Sequence, residues 1–472
     1  MNREILRLAL PSILANITVP IVGMVDLAVA GHLHGNPGAA AFIGGITVGS
    51  MIFDLLYWNF GFLRTGTGGL TAQAYGRGDL HDAAKILVRG VGIALILSLI
   101  VLLIQWPFSA LTLKLVDSSQ QVRDLALRYF FVRVWAAPAT LSLMTFRGWF
   151  IGMQDSVGSM TIDLIVNIVN ILASVLLSLG VGAWQGLGFD GVAVGTLVAQ
   201  YTGLLFACAK VAVSYRHVFR GVRQEDLREA FRRSELRSFV RFSGDLFLRS
   251  VALTTLYVCY TVISTGFGDL MTASAAIMMK LLLFYSFFTD GFAYAGEALT
   301  GKYIGRRDGE MLRKAVRYTL IWSMSIGVLF MGVYWVLGVP MLKMMTSDAT
   351  VVDAARQFIP WLVLMPPLGC LAFAWDGIYT GATRARPIRD AMILALIAFL
   401  ALWFIGKRLL LGAAADTAAG AAAGTAVGSG VLSVTGADAL AIHILLAAYF
   451  AHLLIRSVYL SLRYKKDILS GA

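Results

Sequence analysis

Residues 90–104 of the chain read GVGIALILSLIVLLI, a continuous apolar run that contains no charged side chain. About 20 such residues span the hydrocarbon core of a bilayer as a helix, and runs of that length recur along all 472 residues. Because the runs are continuous rather than alternating, they indicate transmembrane helices and not the strands of a β-barrel. We therefore predict an all-α polytopic membrane protein.

The composition supports a membrane protein. Hydrophobic residues make up 58% of the chain, charged residues 14%, and the mean hydropathy is +0.76, whereas an average soluble domain is about 25% charged. The net charge of +12 does not indicate nucleic acid as a partner, because the basic residues cluster between apolar runs, as the positive-inside rule describes. The cysteines show no metal-binding or disulfide spacing and lie inside apolar runs, at Cys208, Cys259 and Cys370.

Apolar runs predict about twelve spans in two sets of six. The first set lies near 5–31, 40–64, 84–108, 126–150, 160–182 and 188–214, and the second near 239–266, 270–297, 314–338, 356–380, 387–411 and 437–461. Basic loops at 76–89, 216–241, 302–317, 384–389 and the C-terminal tail alternate with loops that lack Lys and Arg. We therefore predict a multi-pass protein of the cytoplasmic (inner) membrane with both termini cytoplasmic. The first residues run into an apolar span without a cleavage pattern, so we expect no removable signal peptide.

The two sets are related by an internal repeat at a fixed offset of 229 residues. The offset pairs Leu70, Thr71, Gly76, Arg77, Asp79, Lys85, Pro138, Gly148 and Gly152 with Leu299, Thr300, Gly305, Arg306, Asp308, Lys314, Pro367, Gly377 and Gly381. Six spans separate equivalent points, so the repeat is parallel and places a cavity between the halves near mid-membrane. We predict an N-lobe at 1–214, a basic cytoplasmic linker at 215–238 and a C-lobe at 239–472.

Glycines and small residues mark three further features. The motifs at 148–152 and 377–381 have GxxxG spacing, which serves either a hinge or close helix packing, and we favour packing. The run 66–69 (GTGG) lacks the lysine of a phosphate-binding loop and indicates a helix break or a packing site. Residues 412–430 are nearly all Ala, Gly, Thr and Ser, which predicts a flexible loop without an assigned function.

Asp26 is the strongest candidate for a functional residue. It lies within the first span with no basic residue within a turn or two along the chain. A carboxylate at membrane depth is costly and usually faces a cavity, so Asp26 would take up and release a proton as a coupling site. The alternative is a carboxyl group that is hydrogen-bonded within the helix bundle.

Oxygen-bearing side chains on spans 5 and 6 would join Asp26. Asn170 and Ser174 are four residues apart and share a helix face, and Thr196 lies on span 6. Hard cations prefer oxygen ligands, so these groups and Asp26 would surround one small cation, Na⁺ included, while we expect no other metal. Hydrogen bonding between helices explains the same residues equally well.

Further polar residues inside the spans are candidates for the substrate cavity or for buried pairs between helices. No catalytic motif accompanies them, so we do not expect an enzyme. Tyr257 would stack on apolar or cationic molecules. The complete cavity set is Asp54, Asn59, Arg64, Asn167, Gln200, Tyr257, Lys280, Asp290, Glu297 and Asp376.

Several stretches resemble MATE (multidrug and toxic compound extrusion) transporters. Residues 11–33, with Asp26 and the ending Ala30-Gly31-His32-Leu33, resemble the first helix of that family. The stretches 57–67, 290–298 and 376–384 are similar to those of its DinF-like branch. The resemblance implies a V-shaped antiporter of twelve helices in two lobes, which exports drug-like, often cationic, molecules in exchange for H⁺ or Na⁺.

The resemblance also implies roles for individual residues. In the family, an aspartate of the first helix couples transport to the ion, and Asp26 matches it. A family cation site adds an asparagine and a threonine, matched by Asn170 and Thr196, and an aspartate that is replaced here by Ser174. A neutral hydroxyl neutralises no charge, so this departure favours H⁺ over Na⁺ at the site.

Other functions remain open on the sequence. A flippase for lipids or lipid-linked oligosaccharides would need a basic cavity, for which Arg64, Arg133, Arg147 and Lys280 are candidates. A membrane enzyme would need paired catalytic groups, and a channel would need a ring of filter groups; the sequence favours neither. We expect a monomer in the lipid bilayer that binds small drug-like molecules and uses no cofactor apart from its coupling ion.

Overall fold

The computed structural model describes residues 1–33, 38–114, 118–180, 182–220, 222, 224–411 and 434–471, and these are almost entirely helical. The first half (1–214) contains α1 (Asn2–Gly31), α2 (Ala39–Tyr57), α3 (Phe62–Arg77), α4 (Leu80–Leu113), α5 (Gln120–Arg133), α6 (Ala137–Gly152), α7 (Ser156–Leu179) and α8 (Phe189–Ser214). The 3₁₀ turns Trp58–Gly61 and Val134–Ala136 join α2 to α3 and α5 to α6.

The second half (239–472) follows two short helices, α9 (Arg216–Phe219) and α10 (Gln224–Ala230). It contains α11 (Arg233–Thr265), α12 (Gly268–Gly305), α13 (Gly309–Met345), α14 (Ala349–Arg356), α15 (Ile359–Gly381), α16 (Ala385–Gly406) and α17 (Val434–Asp467). The predicted flexible loop at 412–430 lies outside the described residues.

Eleven helices among the described residues are long and apolar enough to cross a membrane, which confirms the polytopic fold class. The fourth predicted span, 126–150, differs from expectation because it is not one helix. α5 ends at Arg133, and α6 begins at Ala137 with a proline in its first turn. Proline lacks an N–H and suits the start of a helix rather than its interior.

The internal repeat is visible in the helix ends. Asp79 and Asp308, equivalent at the 229-residue offset, cap α4 and α13 by accepting hydrogen bonds from the backbone N–H groups of Asp82 and Met311. Each cap follows a left-handed residue, Gly78 (φ 75°) or Arg307 (φ 55°). The same local structure therefore recurs in both halves.

The buried apolar residues of the described structure form four clusters. One of them lies within residues 74–218, in the first half and α9 alone, and the membership of the other three defines a V. Of these three, one draws its members only from the first half (residues 29–56, 101–137 and 189–193), and another only from the second half (252–453). The third combines residues of both halves, including Ile5, Leu63, Phe292 and Tyr379. The halves therefore share a core at one end, which we call the closed end, and have separate cores at the other, which we call the open end.

Glycines permit the close approach at the closed end. A Cβ atom on Gly76 would lie 2.1 Å from the carbonyl oxygen of Lys302 and 3.0 Å from the Cα atom of Gly305, its equivalent in the repeat. A Cβ on Gly69 would lie 2.3 Å from the carbonyl oxygen of Thr380. The run 66–69 is therefore a packing site inside α3 and not a helix break.

The GxxxG motifs also serve packing, as expected. A Cβ on Gly148 would lie 2.0 Å from the carbonyl oxygen of Arg64, and one on Gly377 would lie 2.0 Å from that of Ala293. Both pairs of residues are related by the same offset, so each half holds its helices together with the same contact.

The basic segment between the halves is bound to α4. The Lys85 ammonium donates a hydrogen bond of 2.7 Å to Glu229, which lowers the pKa of the Glu229 carboxyl. Arg89 donates to the carbonyl oxygen of Ala230 and to Glu235. The segment therefore runs along the closed end rather than into the cleft.

Candidate functional site

Asp26 is buried in the first half, where α1 packs against α7. Its exposed fraction is 8%, and its Oδ1 atom has no hydrogen-bond partner. The groups that act on its charge are the Arg133 guanidinium of α5 and the Ser174 hydroxyl of α7. A carboxylate without a direct ion pair is costly to keep charged at membrane depth, so this group is suited to proton transfer.

The structure brings the remaining predicted cation-coupling residues together. The Asn170 amide donates a hydrogen bond of 3.0 Å to the Thr196 hydroxyl, which itself donates to the carbonyl oxygen of Val192. Asn170, Ser174 and Thr196 are all buried. Oxygen atoms of Asn170 and Ser174 remain without a hydrogen-bond partner, as does Oδ1 of Asp26.

A glycine on α8 explains why these side chains meet. A Cβ atom on Gly195 would lie 2.6 Å from the backbone nitrogen of Ser174 and 2.7 Å from its hydroxyl oxygen. The absence of that Cβ lets α7 and α8 approach closely, which places Thr196 beside Asn170. Gly195 is therefore part of the site, because it lets α7 and α8 pack closely there.

Arg133 connects this site to the cleft. Its guanidinium donates a hydrogen bond of 2.9 Å to the Tyr129 hydroxyl and lies 4.7 Å from the ring centre of Phe53. It forms no ion pair within 4.0 Å among the described residues, but it acts on both Asp26 and Asp54. Asp26 and Asp54 are therefore both influenced by the same cation.

The predicted cavity residues fall into three groups, of which the first faces the cleft. Asp54 on α2 and Lys280 on α12 are exposed and act on each other electrostatically. Half of the Trp58 side chain is exposed, and its ring centre lies 5.8 Å from that of Tyr257, in the other half of the chain. These four side chains bring charge and aromatic surface to the cleft.

The second group joins the halves at the closed end. Arg64 of α3 lies 3.5 Å from Glu297 of α12, and its guanidinium lies 4.1 Å from the ring centre of Tyr294. The exposed fraction of Glu297 is 1%. Asp290 is half-buried and acts on Arg64 without a direct ion pair in the described structure.

The third group consists of Asn59, Asn167, Gln200 and Asp376, whose recorded contacts are hydrogen bonds within one half of the chain or none. Asn59 donates to the carbonyl oxygen of Leu55, one turn earlier in its own helix, and Asn167 donates to Thr18 of α1. The Oε1 atom of Gln200 is buried without a partner. Asp376 accepts hydrogen bonds from two arginines, Arg249 and Arg456, in the second half.

Three charged residues that the sequence reasoning missed belong to these networks. Arg249 and Arg456 neutralise Asp376, and Asp163 pairs with Arg147 at 2.6 Å. Each lies inside a predicted apolar span, where an ionisable side chain is itself a signal. Examining every basic residue in the spans, as well as the carboxylates, would have found them.

No group of three His, Cys, Asp or Glu side chains able to hold a metal ion occurs within the described residues. A cation beside Asp26 would therefore depend on the uncharged oxygen atoms of Asn170, Ser174 and Thr196. That donor set offers one carboxylate and fits a proton or a monovalent ion.

Comparisons with known proteins identify the family of the chain. The MatE family model matches residues 11–176 and 246–406. The chain is also similar to DNA damage-inducible protein F of Escherichia coli (strain K12), with 33% identity over 398 residues that cover 84% of each chain. The chain belongs to the MATE family.

Other MATE relatives are more distant. The multidrug resistance protein MdtK of Edwardsiella ictaluri is 21% identical over 404 residues, which cover 86% of each chain. A crystal structure of MATE in the bent conformation matches all of this chain and 97% of the other, with a TM-score of 0.80 at 15% identity. A transporter of the MOP superfamily from Pyrococcus furiosus, whose reverse polarity of the binding pocket suggests a different function, gives a TM-score of 0.81 at 15% identity over 98% of this chain and 96% of the other. These structures establish the fold, and family membership makes the protein a transporter rather than an enzyme.

Proposed function

We propose that this MATE protein is a secondary active antiporter of the cytoplasmic (inner) membrane, where it acts as a monomer with both termini cytoplasmic. It exports drug-like, often cationic, molecules in exchange for an inward flow of H⁺ by alternating access. The observation that carries the proposal is Asp26, a buried carboxylate that makes no hydrogen bond through Oδ1 and no direct ion pair with any described residue. Its neighbours Asn170, Ser174 and Thr196 supply dipoles but no second negative charge.

The choice of H⁺ follows from charge. A sodium ion takes several oxygen ligands and is bound more tightly where they carry net negative charge. Asp26 is the one carboxylate of the proposed site, and Arg133 already acts on it. A proton needs one carboxylate only. The proposed cycle therefore protonates Asp26 to repack α1 against α7 and release the substrate, and deprotonation restores the substrate site.

Efflux of a fluorescent cationic drug from proteoliposomes tests the proposal, with pH and sodium gradients imposed separately. We expect the wild type to transport the drug under the pH gradient alone. Asp26→Asn should lower that transport rate at least about tenfold, since an amide cannot exchange the proton. Asp269→Asn, which removes an exposed carboxylate from α12, serves as the control.

Two results would contradict the proposal. Wild-type rates with unchanged pH dependence in Asp26→Asn would remove Asp26 from the mechanism. Transport driven by sodium alone would replace H⁺ with Na⁺ as the coupling ion.

The flippase alternative has less support from the charges. Of its four candidate residues, Arg64 is paired with Glu297 and Arg147 with Asp163. Arg133 and Lys280 make no ion pair among the described residues. Arg133 acts on Asp26 and Asp54, and Lys280 is exposed at the cleft. No drug movement under either gradient, combined with headgroup-dependent flipping of a fluorescent lipid, would favour this alternative.

A further inference from the structure

Two helical spans that face each other across the molecule carry reciprocal charges. Along the span formed by α2 and α3, a negative residue, Asp54, precedes a positive one, Arg64. Along α12 the order is reversed, with Lys280 before Glu297. Both spans run from the open end to the closed end, so each charge faces an opposite charge on the other span.

The repeat places the members of each pair at similar depths. Residues related by the offset of 229 lie at the same depth on either side of the molecule, as the contact between Gly76 and Gly305 illustrates. Asp54 is equivalent to Leu283, three residues from Lys280, and Arg64 is equivalent to Ala293, four residues from Glu297. Each pair is therefore offset by about one helical turn.

The pair at the closed end is formed. Arg64 contacts Glu297 at 3.5 Å, and the Glu297 side chain is buried. A Cβ atom on Gly68 would lie 2.1 Å from Oε1 of Glu297, so glycine at this position of α3 makes room for the carboxylate. The ion pair joins the two halves where their shared core begins.

The pair nearer the open end is not formed. Asp54 and Lys280 are both exposed, and neither makes a hydrogen bond or an ion pair within the described part of the chain. They nevertheless act on each other electrostatically. Two opposite charges on facing walls of a cleft attract each other as the cleft narrows, because desolvation strengthens their interaction.

We propose that Arg64–Glu297 and Asp54–Lys280 are alternating gates, of which one is formed in each of the two access states. The inference rests on the proposed alternating-access function. When the open end closes, Asp54 and Lys280 pair and lose their water, while Arg64 and Glu297 separate and become hydrated. The transition between the two states thus breaks one ion pair and forms the other, which keeps the two states close in free energy.

Distance measurements between spin labels on Cys variants of Ile43 and Leu270 test the gates. Both residues are exposed near the open end, on α2 and α12. The three native cysteines are replaced by alanine, and the protein is studied in lipid nanodiscs. A short distance reports closure of the open end, and the fraction of short distances is the measured quantity.

We expect Asp54→Asn and Lys280→Gln each to lower the fraction of short distances by about tenfold, because a lone charge would have to be buried. The charge swap of Asp54→Lys with Lys280→Asp should restore the wild-type fraction to within about threefold. Glu297→Gln should raise the fraction, because it weakens the opposite gate. Asp269→Asn on the same helix is the control and should change nothing.

Unchanged distances in both single variants would overturn the proposal. Loss of equilibrium drug binding in Asp54→Asn without any change in distances would also overturn it, and would make Asp54 a substrate ligand instead. The distances are measured without a transport assay. If the wild type moves no drug but its distances respond as expected, the gates stand and the proposed antiport fails.

Discussion

At the scale of residues, Asp26 could be predicted from the sequence, but its surroundings could not. An aspartate inside an apolar run is conspicuous whatever the fold. The contact of Asn170 with Thr196, and the action of Arg133 on Asp26, depend on how α5, α7 and α8 pack. For Asp376 the sequence left open a place in the cavity or a buried pair between helices, and its neutralisation by two arginines depends on how the helices pack.

The proposed choice of H⁺ depends on Ser174, which leads to a prediction at this scale. We expect Ser174→Asp to make drug transport respond to a sodium gradient, because a second carboxylate beside Asn170 supplies the charge that a sodium ion needs. The measurement is the proteoliposome assay with sodium and pH gradients imposed separately.

Ser174→Asn is the matched control, since the asparagine side chain is the same size as that of aspartate but carries no charge. A sodium response in Ser174→Asn, or none in Ser174→Asp while the variant still binds the drug, would contradict this account of ion choice.

At the scale of elements, hydropathy located the spans but not their breaks. Residues 126–150 are mostly apolar despite three arginines, so the pattern predicted one helix, whereas the backbone turns at Val134–Ala136 before Pro138. The 3₁₀ turn Trp58–Gly61 was likewise not predicted. Hydropathy records burial in lipid and is insensitive to a local change in backbone hydrogen bonding.

The two equivalent turns before α4 and α13 give a prediction about stability. Gly78 and Arg307 both adopt positive φ, but Arg307 carries a side chain there, and a left-handed conformation costs a non-glycine residue about 1 kcal/mol. Arg307 is exposed. We therefore expect Arg307→Gly to raise the free energy of unfolding by about 0.5–1 kcal/mol.

Unfolding by SDS in mixed micelles measures this change. Arg307→Ala is the control, because alanine removes the same side chain and keeps the strain. Equal effects of the two substitutions would show that the backbone conformation of Arg307 is not the cause.

At the scale of the whole molecule, the repeat predicted two similar halves, and the V follows from where their cores lie. The shared core at the closed end includes Ile5, Leu63, Phe292 and Tyr379, whereas each arm of the V buries its own apolar residues. No sequence pattern distinguishes a shared core from a separate one, because both consist of the same residue types. Which end is open was therefore beyond prediction.

The orientation of the V in the membrane yields a testable prediction. We expect a Cys variant of Lys280 to react with a membrane-impermeant maleimide added outside intact cells, because the proposed cytoplasmic termini would put the open end outside. A Cys variant of Arg306, at the closed end, should react only after the cells are permeabilised.

Both variants are made in the background without native cysteines, and both positions are exposed. Labelling of the Arg306 variant in intact cells would place the termini outside the cell. Protection of the Lys280 variant in both preparations would contradict an open cleft.

The contact between Gly68 and Glu297 also bears on the ancestry of the chain. The two residues are equivalent at the 229-residue offset of the repeat. Oε1 of Glu297 fills the space that a Cβ atom on Gly68 would occupy. In a symmetric dimer of two identical ancestral chains, both positions would hold the same residue: two glycines would leave a gap, and two glutamates would collide. A contact between glycine and glutamate at equivalent positions therefore requires two halves that differ in sequence. Homologues that carry a larger residue at position 68 should have lost the glutamate at position 297.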